Sequence, residues 1–199
     1  YAYYFSTKLK VLILFAFFLS YHIVIAQAPS NDDPCGGVTS TAIPLTPGAS
    51  CNYTIFTNVG ASNSNGPGIL NPSCAGYTDA DVWFKVRVPA GASSLTIDTK
   101  DMGLTDGGMA VYTATGSCPS LTLTEIACDD NSSTNPAMPK ITVNQPTGTT
   151  VYIRFWGVLG QTGTFGICVT APIPPTNDEC LNATSLVVNA DYLCANSIS

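Results

Sequence analysis

The sequence predicts an all-β fold, an antiparallel β-sandwich or jelly roll of about eight strands stapled by disulfides. Three observations carry this. After residue 26 no stretch sustains a helical period, short alternating apolar runs recur along the chain, and clusters of Gly, Pro, Asn and Asp separate those runs. The staples are read from a set of eight cysteines, all after residue 26, in a chain whose charged residues make up only 10%.

Taken in order, the predicted strands cover 53–57, 81–88, 94–99, 109–113, 121–128, 141–144, 151–157 and 164–169. Turn residues fill the gaps at Ala90-Gly91, Asp106-Gly107-Gly108, Pro146-Thr147-Gly148 and Leu159-Gly160. Side chains alternate across a strand, so Val82, Phe84, Val86 and Val88 form one inward row. Val151, Ile153 and Phe155, and then Phe165, Ile167 and Val169, form others. The opposite rows are Trp83, Lys85 and Arg87 on one strand and Tyr152, Arg154 and Trp156 on another, a mixture of aromatic and basic residues.

Residues 1–26 read as a secretory signal peptide: Lys8 and Lys10 precede a 16-residue, mostly apolar run to Ala26, with small Val24 and Ala26 before a cleavage at Gln27. The run is short of the roughly 20 residues of a spanning helix, so no membrane span is expected after cleavage. From Gln27 onward five basic side chains face thirteen acidic ones, a net charge of −8. That balance excludes nucleic acid as a natural partner, because phosphate backbones demand a basic footprint. Export is expected to let the cysteines oxidise, and the localisation is read as secreted or cell surface.

Asn31-Asp32-Asp33-Pro34-Cys35, followed by Cys51, recurs as Asn177-Asp178-Glu179-Cys180, followed by Cys194. The recurrence divides the chain into a module over 27–171, a proline-rich linker over 172–176 and the start of a second, similar module over 177–199, as in a larger array. The repeated couple favours Cys35–Cys51 and Cys180–Cys194 as disulfides. Cys118 and Cys128 bracket a short hairpin and are paired on that ground, which leaves Cys74 for Cys168 by elimination.

The order of motifs in residues 31–170 resembles the bacterial pre-peptidase C-terminal domain, in the cysteine-bearing form of secreted Bacteroidetes-type surface proteins. The resemblance rests on Asn31-Asp32, the strand start Asp79-Ala80-Asp81-Val82-Trp83-Phe84 and the DGGMAVY stretch from Asp106 to Tyr112. Cys128-Asp129-Asp130-Asn131 and the VYIRF strand from Val151 to Phe155, leading through Gly163-Thr164-Phe165, complete it. It implies a β-sandwich accessory domain, attached to secreted proteases or built into repetitive adhesins.

Two candidate sites follow. Hard cations take several oxygen ligands, and Asn31, Asp32, Asp79, Asp81, Asp129 and Asp130 form the candidate calcium set, the one cofactor considered. Some collagen-binding relatives in the resembled family bind calcium through an Asn/Asp-containing linker, which Asn31-Asp32 matches. The competing reading gives these residues to turn capping. The second candidate is a ligand platform of Trp83, Tyr152, Arg154 and Trp156, flanked by Lys85 and Arg87; its alternative is that a loop or neighbouring module covers the rings. The sole histidine, His22, precedes the cleavage point, so histidine-dependent triads and zinc hydrolase sites cannot form in the mature chain.

The function read from this is a non-catalytic extracellular binding, adhesion or spacer module of a repetitive surface protein, engaging a glycan, matrix or protein ligand. The alternative is an accessory domain that targets or stabilises a secreted hydrolase with its catalytic part downstream.

Overall fold

Period-two alternation dominates the chain, and the computed structural model accordingly packs two β-sheets face to face. It describes residues 27–36, 41–64, 68–74 and 76–172, with four isolated positions beyond them. The strands are β1 (Ile43–Pro44), β2 (Thr54–Thr57), β3 (Val82–Arg87), β4 (Ser94–Asp101) and β5 (Gly107–Thr115). They continue as β6 (Thr122–Asp129), β7 (Lys140–Asn144), β8 (Thr150–Gly157) and β9 (Thr164–Thr170). All eight expected strands are present, and β1 is added as a two-residue edge parallel to β3. The signal peptide, the Cys180–Cys194 pairing and nearly all of the linker and second module lie outside the described residues.

One sheet has the order β1-β3-β8-β5-β6 and the other β2-β9-β4-β7. Val82, Phe84 and Val86 of β3 and Val151, Ile153 and Phe155 of β8 point inward as expected. They meet Leu95, Ile97, Phe165, Ile167 and Val169 of the facing sheet in one continuous core. Phe84 sits in the middle, its ring 4.8 Å from that of Phe56 and 6.2 Å from that of Phe165. Burying each such side chain contributes roughly 1.5–3 kcal/mol, so the inward rows dominate the stability of the sandwich.

The glycine pair in the DGG motif is required by close packing on both faces. A Cβ on Gly107 would lie 2.8 Å from the Phe155 ring inside the core, and one on Gly108 would lie 2.4 Å from the Trp156 ring outside it. The motif therefore allows two rings of β8 to lie against β5 on opposite sides of the sheet.

The disulfides correct the sequence expectation. Cys35 pairs with Cys118, Cys51 with Cys168 and Cys74 with Cys128. Cys35–Cys51, Cys118–Cys128 and Cys74–Cys168 do not form. Cys118 and Cys128 cannot meet across the hairpin, because Cys128 lies on β6 opposite Ala110, whereas Cys118 lies in the turn beyond the Thr115–Thr122 pair. Six residues of extended strand separate Thr122 from Cys128, about 20 Å. Cys51 enters β2, which is paired with β9, and so arrives beside Cys168. The bonds close sequence separations of 83, 117 and 54. Taken singly, loops of that size stabilise by roughly 4 kcal/mol through restriction of the unfolded chain.

Trypsin tests the pairing directly, because only Lys85, Arg87, Lys100, Lys140 and Arg154 follow Gln27. Under non-reducing mass spectrometry, peptide 27–85 should be joined to both 101–140 and the peptide beginning at Phe155. The pairing expected from sequence leaves 101–140 free, and finding it free would overturn the observed connectivity.

Candidate functional site

The outer face of the five-stranded sheet carries two rows of side chains set by register. Trp83, Arg154, Ala110 and Cys128 lie side by side across β3, β8, β5 and β6. Two residues along, Lys85, Tyr152, Tyr112 and Glu125 form the next row. The first row is covered; in the second, Lys85 and Tyr152 open into a groove, whereas Tyr112 is buried.

The segment between β2 and β3, together with Asn31 and Asp32, forms the cover, and a buried ion pair anchors it. Arg154 Nε donates to Asp81 Oδ2 at 3.0 Å, and neither side chain has any exposed surface. The same guanidinium donates to the Leu70 carbonyl at 2.9 Å, the Ser64 carbonyl at 3.3 Å and the Tyr77 hydroxyl at 2.6 Å. It lies 4.3 Å from the Tyr77 ring and 5.2 Å from the Trp83 ring. Asp81 accepts from Arg154, Ser64 N–H, the Tyr77 hydroxyl and Trp83 Nε1, the last at 2.7 Å. Its lone pairs are thereby consumed. Ala80, held at φ 58, turns the chain into Asp81, and its carbonyl accepts from buried Asn58 at 3.0 Å.

Burial is the largest single influence on Arg154 and lowers its pKa, but the charge of Asp81, aided by Tyr77, the Asp81 hydrogen bond and Tyr112, together outweighs it, and Arg154 ends above its ordinary value. Burial pushes the Tyr77 hydroxyl up strongly, and the neighbouring Asp81 charge adds to the rise. Tyr112 is pushed up to about 12, chiefly by burial; Arg154 opposes the rise and Glu125 adds to it.

This cover overturns the aromatic platform. Trp83, Arg154 and Trp156 are each 0% exposed, so the rings flank a structural cation and present no face to solvent. Alternation places them on the correct side of the sheet; what it cannot report is the loop lying on top. Of the four expected platform residues only Tyr152 borders open space.

The calcium candidates are dispersed among protein donors. Asn31 donates to the Trp83 carbonyl at 3.1 Å and accepts from Trp83 N–H through its own carbonyl. Asp32 accepts from the Ser62 hydroxyl at 2.7 Å, and Asp129 accepts from Ser132 N–H at 3.0 Å and Lys140 N–H at 2.9 Å. Asp79 is exposed with Thr78 at 3.4 Å, and Asp130 lies at the end of β6. Asp32 and Asp129 thus serve as turn and loop acceptors, and Asp81 already holds a cation, the guanidinium of Arg154. Among the described residues no three or more His, Cys, Asp or Glu side chains gather as a metal site.

The open end is a depression of about 540 Å3 lined by Lys85, Thr113, Leu121, Thr150 and Tyr152, with Gly116 and Thr149 at its margin. Lys85 and Tyr152 are directly paired across β3 and β8 and both remain partly exposed. No ion pair engages Lys85 among the described residues. At the rim, Arg87 Nε donates to the Gly148 carbonyl at 3.0 Å, which fixes its guanidinium beside the turn preceding β8. Sequence reasoning noticed Lys85 only as a flank of the tryptophans. The signal for its role is the strand register, which sets it opposite Tyr152.

No family model matches this sequence, and no curated protein matches it. Solved structures with a similar fold include the pre-peptidase C-terminal domain of a collagenase from Bacillus anthracis, at 10% identity and TM-score 0.37, covering 65% of this chain and 92% of that one. A periplasmic inhibitor of g-type lysozyme from Aeromonas hydrophila is similar at 13% identity and TM-score 0.37, over 66% of this chain and 96% of that one. A surface-associated copper-binding protein from Methylomicrobium album BG8 is similar at 12% identity and TM-score 0.40, over 67% of this chain and 100% of that one.

Two measurements check the covered half. Arg154→Met leaves Asp81 buried without its cation and should lower the unfolding free energy in urea by roughly 3–5 kcal/mol. An Arg154→Met variant as stable as the parent would show that the pair is not what holds the cover. Stability should also fall as pH rises above about 10, where unfolded tyrosines lose a proton that folded Tyr77 and Tyr112 retain. Below that pH both states hold the proton and the contribution is constant. Urea midpoints at pH 9 and 11 should differ less in Tyr112→Phe than in the parent; an equal difference in both counts against Tyr112.

Proposed function

We propose that the chain is a non-catalytic extracellular module of a repetitive secreted or cell-surface protein, which adheres to its ligand through the open half of the outer sheet face. The observation that carries this reading is the groove itself: a partly exposed aromatic residue and an ammonium free of ion pairs among the described residues stand side by side on adjacent strands, next to a covered row. Sites built on a sheet hold their geometry without ordering a loop on binding, which keeps the entropic cost of association low.

Three disulfides agree with an exported protein, since such bonds persist in oxidising compartments. The groove brings together hydroxyl, phenol and ammonium groups but no pair of carboxylates for acid–base work, and the chain from Gln27 onward contains no histidine to act as a general base. Binding is the chemistry these groups support: a ring to stack, hydroxyls to exchange hydrogen bonds and a cation to orient the ligand.

An array of glycans and matrix proteins probed with the parent and Tyr152→Ala tests the reading. Tyr152→Ala should keep the cooperative melt and lose about tenfold or more in affinity, whereas Thr142→Ala, on the outer face of the opposite sheet, should bind as the parent does. Equal binding by Tyr152→Ala and the parent would remove the groove as the site.

A further inference from the structure

Five cations follow Gln27, and the fold spends them unevenly. Arg154 is buried on Asp81, Lys140 pairs with Asp98 at 3.1 Å and Lys100 lies 5.9 Å from the centre of the Tyr53 ring. Lys85 and Arg87 have no carboxylate partner among the described residues, and they are neighbours on the outer side of β3. In a mature chain with thirteen acidic side chains, two of the three cations without an ion pair among the described residues therefore stand together, one in the groove and one at its rim, while the third, Lys100, lies over a tyrosine ring. No carboxylate lines the groove. The acidic residue on the same row, Glu125, is three strands away, roughly 14 Å. Its carboxylate is already occupied by Ser73, whose N–H donates to it at 3.1 Å.

Resting on the groove as the binding site, we infer that its ligand is an acidic sugar, a pyranose bearing a carboxylate or sulfate, whose anionic group is received by Lys85. The remaining lining fits a sugar ring. Thr149 and Thr150 offer hydroxyls that both donate and accept, as sugar hydroxyls do, and Tyr152 offers a ring for the apolar face of a pyranose. An acidic peptide fits less well. The groove is set on β3, β8 and β5, and β8 and β5 are interior strands whose backbone groups are used in the ladders on both sides. An extended peptide gains most from pairing with a free strand edge, and the groove presents none there.

Calorimetry of the secreted chain with four probes tests this: tetragalacturonate, its methyl ester, a heparin-derived tetrasaccharide and a decameric glutamate peptide. The expected result is that at least one acidic oligosaccharide binds, tenfold or more tighter than the methyl ester, and that its affinity falls steeply from 50 to 300 mM salt. Preference for tetragalacturonate or for the heparin fragment assigns the anion as carboxylate or sulfate. Lys85→Gln should erase the preference over the ester and Lys85→Arg should retain it, with both variants melting as the parent does. Equal binding of acid and ester, no binding of either acidic sugar, or a glutamate peptide that binds as tightly as the sugars overturns the inference. Should the acid preference vanish while Tyr152→Ala still weakens array binding, the groove stands and only its ligand class is wrong; should Tyr152→Ala change nothing, the groove itself falls.

Discussion

The buried Arg154–Asp81 pair is the contact on which the outer half of this molecule depends. A guanidinium without exposed surface has lost its hydration, and it is tolerable only where nearly every N–H finds an oxygen and a carboxylate balances the charge. Those oxygens come from three places in the covering segment, Ser64, Leu70 and Tyr77, and the carboxylate comes from the strand start at Asp81. The cation thus organises a stretch of chain with little apolar surface of its own. In return the segment excludes water from Trp83 and Trp156, whose indole rings would otherwise form a large exposed patch.

The same register that buries one row leaves Lys85 and Tyr152 of the next partly exposed. Trp83 and Lys85 are two residues apart on β3, as are Arg154 and Tyr152 on β8, so all four project from one face. The cover ends between the two rows, held there by the Cys74–Cys128 disulfide and by Ser73 hydrogen-bonded to Glu125 on β6. Had the cover extended one pleat further, the groove would be filled; had it stopped one pleat sooner, the buried cation would be wet. The position of the anchors on β6 therefore fixes both the sealed half and the open half.

Strands were legible because period-two alternation is a local property, and all eight expected runs lie within two residues of the observed ones. The inward rows were legible for the same reason. What alternation does not encode is the identity of the partner. Cys118 and Cys128 are close in sequence, yet β6 carries one away from the other along its length, while Cys51 and Cys168 meet only because β2 pairs with β9. Likewise the outward side of Trp83, Arg154 and Trp156 could be read, but their burial could not, since it is caused by a turn-rich segment with no periodicity of its own. Among the acidic residues, Asp32 and Asp129 took the role that short polar side chains most often play, accepting from nearby backbone and hydroxyl donors. Asp81 was different, and only the Asp81–Arg154 contact, 73 residues apart in sequence, distinguishes it.

The scarcity of charge on this chain makes the placement of each charge informative. A surface wetted mainly by Ser, Thr, Asn and Gly needs few lysines for solubility, especially with acidic residues in excess. Cations retained in such a sequence are therefore accounted for one at a time. Arg154 holds the cover, Lys140 joins β7 to the Asp98 carboxylate of β4, and Lys100 rests over Tyr53. Among the described residues Lys85 has no ion-pair partner to explain it, and its methylene stem alone does not require an ammonium at the end. A solvated lysine surrounded by hydroxyls on an interior part of a sheet face, beside an aromatic ring, carries a charge that the fold does not use. That unused charge is what distinguishes the groove from the rest of the surface, and the proposal of an anionic ligand rests on it more than on the shape of the groove.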